Sequence, residues 1–144
     1  MSVAQGSDAG RRLLRPFRRP GPWVALWVVG WALCVGLSLM HPPDLGIDVP
    51  DGDKIGHFLA YGLLAAWAVW LFPGTRAQAV SALGLVSLGV ALEFAQGAWT
   101  VDRMMDWHDA VADAIGVLAG LALARWRAPG LLQWIDARVF RPRT

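Results

Sequence analysis

Apolar residues along this chain gather into four long runs separated by short polar breaks. The first runs from Trp23 to about Met40 and carries no charge. The second runs from Ile55 to Phe72, interrupted only by His57. The third spans Ala77 to Gly97 with Glu93 near its end, and the fourth spans about Asp109 to Trp126 with Asp109 and Asp113 in its first turns. A membrane-crossing helix needs roughly 20 mostly apolar residues to traverse a hydrocarbon core about 30 Å thick. All four runs approach that length, so the pattern predicts an all-α integral membrane protein, a four-transmembrane-helix bundle. His41-Pro42-Pro43 and Pro73-Gly74 end the first two helices, because proline cannot continue one. Gly97 to Trp107 makes the third connection, and Pro129-Gly130 sets off a short tail.

The organisation that follows is a basic segment over 1–22, a membrane domain over 23–126 and a basic tail over 127–144. In the tail, Leu131, Leu132, Ile135 and Val139 are set among Arg138, Arg141 and Arg143, a pattern that suits an interfacial amphipathic helix or a frayed end. The first apolar run exceeds the 7–15 residues of a signal peptide's core, and Leu37-Ser38-Leu39-Met40 lacks a small-residue cleavage pattern. A retained anchor is expected.

Basic residues set the orientation, since lysine and arginine collect on the cytoplasmic side. Arg11, Arg12, Arg15, Arg18, Arg19, Arg76, Arg125, Arg127, Arg138, Arg141 and Arg143 all fall on one side of a four-span arrangement. The other side holds only Lys54 and Arg103, together with Asp44, Asp48, Asp51, Asp53, Asp102 and Asp106. Both termini are expected on the cytoplasmic side. Trp23 and Trp126 fit the inner interface, and Trp99 and Trp107 the outer one, as an aromatic belt. Trp23, Trp27 and Trp31 form one helix stripe, more naturally a packing or lipid-facing face than a ligand platform.

Composition narrows the classes. The 144 residues are 56 % hydrophobic with a net charge of only +2, which gives no footing for nucleic acid. Cys34 is the single cysteine, so no intramolecular disulfide can form and a cysteine metal site is not expected. No cofactor and no metal is expected.

Three polar stripes carry the candidate chemistry. Asp53, Lys54, His57 and Tyr61 open the second helix, and residues three and four apart share a helix face. Glu93 and Gln96 close the third helix, and Asp106, Asp109 and Asp113 open the fourth, with Arg103 before it. In an up-down bundle the three stripes meet at one end, in the outer leaflet and its interface, while the inner ends have none. A central Asp, Lys or Arg costs about 2.5–3.5 kcal/mol to insert, and such groups face a bundle interior or watery cavity and pair with one another. Lys54 and Arg103 are the expected partners of Glu93, Asp106, Asp109 and Asp113. Gly116 and Gly120 form a G-x-x-x-G spacing below the acids, which lets a neighbouring helix approach closely.

These residues resemble a known pattern. Asp53-Lys54-Ile55-Gly56-His57-Phe58 with Tyr61 resembles the D-K-x-x-H-F-x-x-Y start of the VanZ-like family, Glu93-Phe94-Ala95-Gln96 its E-x-x-Q, and Arg103, Asp106, Asp109, Gly116 and Gly120 its R…D…D…G…G ending. The resemblance covers about residues 23–126. Asp113 departs from the Asn usual there and adds an acid at depth. The resemblance implies a small bacterial membrane protein of the cell envelope, in a family named for a protein linked to teicoplanin resistance.

The leading expectation is a site for an amphiphilic envelope molecule: a lipid-linked precursor, a lipid head group or a lipoglycopeptide, with a tie to glycopeptide tolerance. In that reading Lys54 and Arg103 contact phosphate or carboxylate, and Glu93, Gln96 and the aspartates accept from sugar or amide groups. Other readings stay open. One is an intramembrane enzyme, with His57 as general base and Glu93 or Asp109 as its partner, or a metal through His57, Glu93, Asp109 and His108. Another is an accessory subunit that docks through the Trp stripe onto a larger membrane protein. The plainest is a polar lock that fixes helix register.

Overall fold

In a computed structural model of the chain, residues 13–40, 52–99 and 105–141 are described. They form four long helices and a short one: α1 (Pro20–Leu39), α2 (Gly52–Leu71), α3 (Thr75–Trp99), α4 (Trp107–Arg127) and α5 (Leu131–Val139). No strand occurs among the described residues. Pro20 and Pro22 start α1, where a missing backbone N–H costs nothing because the first turn's N–H groups have no intrahelical partner. Asp106 caps α4, its side chain accepting from the backbone N–H of His108 at 2.9 Å.

The four long helices are each long and apolar enough to cross a membrane. Their outward surface is built from large apolar side chains, among them Leu26, Val29, Leu33, Leu59, Leu63, Val80, Leu83, Leu118 and Leu123. Soluble proteins rarely expose contiguous apolar surface on this scale. This is the surface of a membrane protein. Hydrocarbon solvates it, so the helices hold together by close packing and polar contacts rather than by apolar burial.

That packing is tightest between α2 and α4. Gly62 of α2 meets Gly116 and Gly120 of α4 with backbone against backbone. A Cβ on Gly116 would collide with the Phe58 carbonyl, and one on Gly120 with the Gly62 carbonyl. Above and below the seam, Tyr61, Leu64, Ala65, Val69, Leu85, Val117, Leu121 and Ala124 fill a core shared by α2, α3 and α4. Helix α1 lies at the periphery against α2 and α3.

The Trp stripe of α1 faces inward. Trp27 donates its indole N–H to the Leu64 carbonyl at 3.1 Å, and Trp31 packs against the core. Trp23 is buried and donates to Asp136 at 2.8 Å, so it is a structural contact rather than an exposed belt residue. Trp99, Trp107 and Trp126 are exposed, as belt residues would be. Trp27 and Trp31 are partly buried against the core of the bundle.

The tail is a docked helix. Leu132 is buried in a cluster with Trp23 and Leu71. Asp136 accepts from the backbone N–H groups of Arg18 and Arg19 at 2.6 and 3.3 Å. It thereby serves the start of α1 from more than a hundred residues away. Gln133 donates to the Trp70 carbonyl, and Arg15 to Val69 and Leu71 carbonyls, tying the segment before α1 and α5 to the end of α2. Burial alone would raise the Asp136 carboxyl's pKa, but the bonds from Trp23, Arg18 and Arg19 and the Arg18 charge hold it below the usual carboxylate range.

Candidate functional site

At the opposite end of the bundle, the start of α2, the end of α3 and the start of α4 converge. Lys54 sits among three carboxylates, with Nζ at 3.3 Å from Asp53, 3.1 Å from Asp106 and 3.3 Å from Asp109. Helical spacing explains the convergence. Asp106, Asp109 and Asp113 share one face of the turn that opens α4, and that face looks at Lys54 and His57 across the α2–α4 seam. One turn deeper, His57 Nδ1 meets Asp113 Oδ1 at 3.0 Å. The His57 ring also stacks over Tyr61, with centroids 6.3 Å apart.

Glu93 joins α3 to this group. Its Oε2 accepts from the backbone N–H of Asp106 at 2.9 Å, which fixes the entry of α4. Gly89, one turn earlier on α3, leaves the space that Asp113 fills: a Cβ there would lie 3.2 Å from the Asp113 Cβ and would overlap its carboxylate. Sequence spacing signals neither role. Glu93 read as a ligand-facing acid also holds a loop, and Gly89 gave no motif of its own.

The site is strongly acidic. Glu93, Asp109 and Asp113 are 2 %, 7 % and 1 % exposed. Among the described residues, Lys54 is the only lysine or arginine paired to the cluster, and the imidazole of His57 is the only other basic group beside the buried acids. Glu93 Oε1, Asp113 Oδ2 and the Tyr61 hydroxyl are buried with no hydrogen-bond partner among the described residues. Asp109 Oδ1 lies 3.3 Å from Lys54 Nζ, within ion-pair range. Buried oxygens without partners cost about 1–3 kcal/mol each. One ligand atom from each of His57, Glu93 and Asp109 can be chosen so that all three lie within 4.8 Å of one another.

The predicted residues do not all meet. Asp53, Lys54, His57, Tyr61, Glu93, Asp106, Asp109 and Asp113 do. Gln96 is buried but turns to α1, donating to the Ser38 carbonyl at 2.8 Å, so it braces the first helix. Arg103 lies outside the described residues. His108 pairs with Asp106 at 2.7 Å on the exposed rim and stands apart from the His57, Glu93 and Asp109 group. The backbone and ring of His108, with Lys54, pull the Asp106 carboxyl down to about 2, so this helix cap stays ionised across the physiological range.

Among the described residues several crevices border the helices, including an open groove of about 580 Å³ at this end lined by Lys54, His108, Val111, Ala112 and Ile115. Another, of about 250 Å³, lies between α1 and α2 and is lined by Cys34, Leu37, Ser38, Asp53, Gly56, His57, Ala60 and Tyr61. Its walls are apolar along most of their length and polar at His57 and Asp53. A groove of about 360 Å³ runs over the glycine seam from Phe58 to Arg127, but none of the carboxylates lines it. Comparisons of the chain with protein-family models, with curated proteins and with solved structures give no match.

Proposed function

We propose that this end of the bundle binds the head of an amphiphilic cell-envelope molecule, in a VanZ-like protein of the bacterial cytoplasmic membrane with both termini inside. The observation that carries the reading is continuity. The apolar crevice between α1 and α2 opens directly on His57 and Asp53, so a chain in the crevice would place its head at the polar cluster. The one-sided arginine distribution supports an outward-facing site. The resemblance of the three polar stripes to the VanZ-like pattern supports an envelope role.

The acidic surroundings refine the earlier expectation for Lys54. With three carboxylates around it, Lys54 is not a free contact for phosphate. Head groups rich in hydroxyl, amide or ammonium donors suit the oxygens of Glu93, Asp109 and Asp113 better than a bare anion does.

Lipids retained through mild-detergent purification test this by mass spectrometry. One lipid class should be enriched over the host membrane, and that enrichment should fall in Ala60→Phe, which fills the crevice, and in Glu93→Gln. Identical lipid profiles in all three proteins, each folded, would refute the reading.

A further inference from the structure

We propose that His57, Glu93 and Asp109 form a binding site for a divalent transition-metal ion, with Asp113 as the positioning residue behind the histidine. Three independent elements supply the ligands: α2, α3 and α4. Their donor atoms lie within 4.8 Å of one another. Ligands of a tetrahedral ion with bonds of about 2.0–2.1 Å stand about 3.3 Å apart, so side-chain rotation alone closes the group around an ion. One imidazole and two carboxylates are a donor set suited to Zn²⁺ and its neighbours.

Two further observations point to a ligand. Glu93 uses Oε2 for the Asp106 N–H and keeps Oε1 buried without a partner among the described residues. Asp113 Oδ1 meets His57 at Nδ1, 3.0 Å away, which leaves Nε2 as the coordinating nitrogen. A carboxylate behind a histidine is the usual support for a ligating imidazole, because it fixes the tautomer and raises basicity. The acid at position 113 then has a role that an amide would fill less well.

Charge gives the same answer. Glu93, Asp109 and Asp113 are almost wholly buried, and Lys54 reaches only Asp109 of the three. An isolated ionised carboxylate is very costly in a low-dielectric interior, and such groups pair, bind a metal or take a proton. A divalent ion neutralises two of them at once. With three protein ligands its remaining positions stay open to water or a head group, the pattern of reactive rather than purely structural metal sites. The ion site stands whether or not an amphiphile binds beside it.

The test uses full-length protein in detergent, stripped with a chelator and then dialysed against Zn²⁺ alone. About one Zn²⁺ per chain is expected, with Gly36→Ala, where a Cβ meets nothing within 4 Å, unchanged. Glu93→Gln and Asp109→Asn should fall to background while keeping helical content and elution volume. Asp113→Asn should keep the stoichiometry and lose about 10–100-fold in affinity. A second readout needs only the wild type: Zn²⁺ should protect His57, and not His108, from diethyl pyrocarbonate. No zinc above background in the wild type, full binding in both folded ligand variants, or equal modification of His57 with and without Zn²⁺ would each overturn the proposal.

Discussion

The α2–α4 seam offers the sharpest test of how packing sets the site. In Gly116→Ala, the new Cβ would collide with the Phe58 carbonyl and sit 3.0 Å from both the Phe58 carbonyl carbon and Cα. Ordinary carbon contacts are about 3.5–4.0 Å. Both sides of the clash are backbone, so no rotamer change relieves it. The helices must part by about 1 Å at this level, with overpacking of this kind costing about 1–3 kcal/mol. The strain falls next to His57, because Phe58 follows it in α2, so the 3.0 Å contact with Asp113 should lengthen too. Gly36→Ala is the matched control. Nothing lies within 4 Å of a Cβ at Gly36, and alanine is the better helix former there by up to about 1 kcal/mol. Denaturation in mixed micelles, followed by tryptophan fluorescence, measures both. Gly116→Ala should lose stability while Gly36→Ala keeps or gains it. Adding Gly120→Ala to Gly116→Ala should cost less than the sum, since the helices have already parted. Equal stability of Gly116→Ala and wild type would refute the close-approach argument.

Other consequences follow from named contacts. Asp136→Ala removes the acceptor for Trp23 and for the Arg18 and Arg19 backbone N–H groups. It should cost about 1–3 kcal/mol and speed tryptic cleavage after Arg138; an unchanged cleavage rate would count against the docked tail. Because the Asp136 carboxyl is held below its unfolded value of about 3.9, its contribution is present above that pH and fades as pH falls through the lower folded value. Wild type should therefore lose more stability than Asp136→Asn on acidification below about pH 4, and parallel curves would refute the assignment. Gly89→Ala should displace Asp113 and weaken its coupling to His57. In a double-mutant cycle the His57–Asp113 coupling, about 0.5–3 kcal/mol for residues in contact, should shrink in that background. A reporter fused after Arg143 should be active only in its cytoplasmic form; activity in the external form would reverse the orientation and turn the site inward.

The sequence alone determined the helices. Four apolar runs bounded by Pro42-Pro43, Pro73-Gly74 and Pro129-Gly130 became α1 to α4 with ends displaced by three residues or fewer. Apolar length and proline are local properties, so they can be read without a fold. The stripes Lys54–His57–Tyr61 and Asp106–Asp109–Asp113 were legible for the same reason, since helical periodicity puts each on one face. Which stripes meet depends on how the helices rotate against one another, and for α2 and α4 that is set by backbone contact at Gly62, Gly116 and Gly120. The placement of α3 sends Glu93 to Asp106 and turns Gln96, three residues on, towards Ser38. The Trp stripe of α1 turns inward, and Asp136 of α5 takes its place at the head of α1. Four runs long enough to cross a bilayer thus state what must be buried in lipid. Only the tertiary structure decides which polar groups face one another inside, because that choice rests on contacts between residues far apart in the chain.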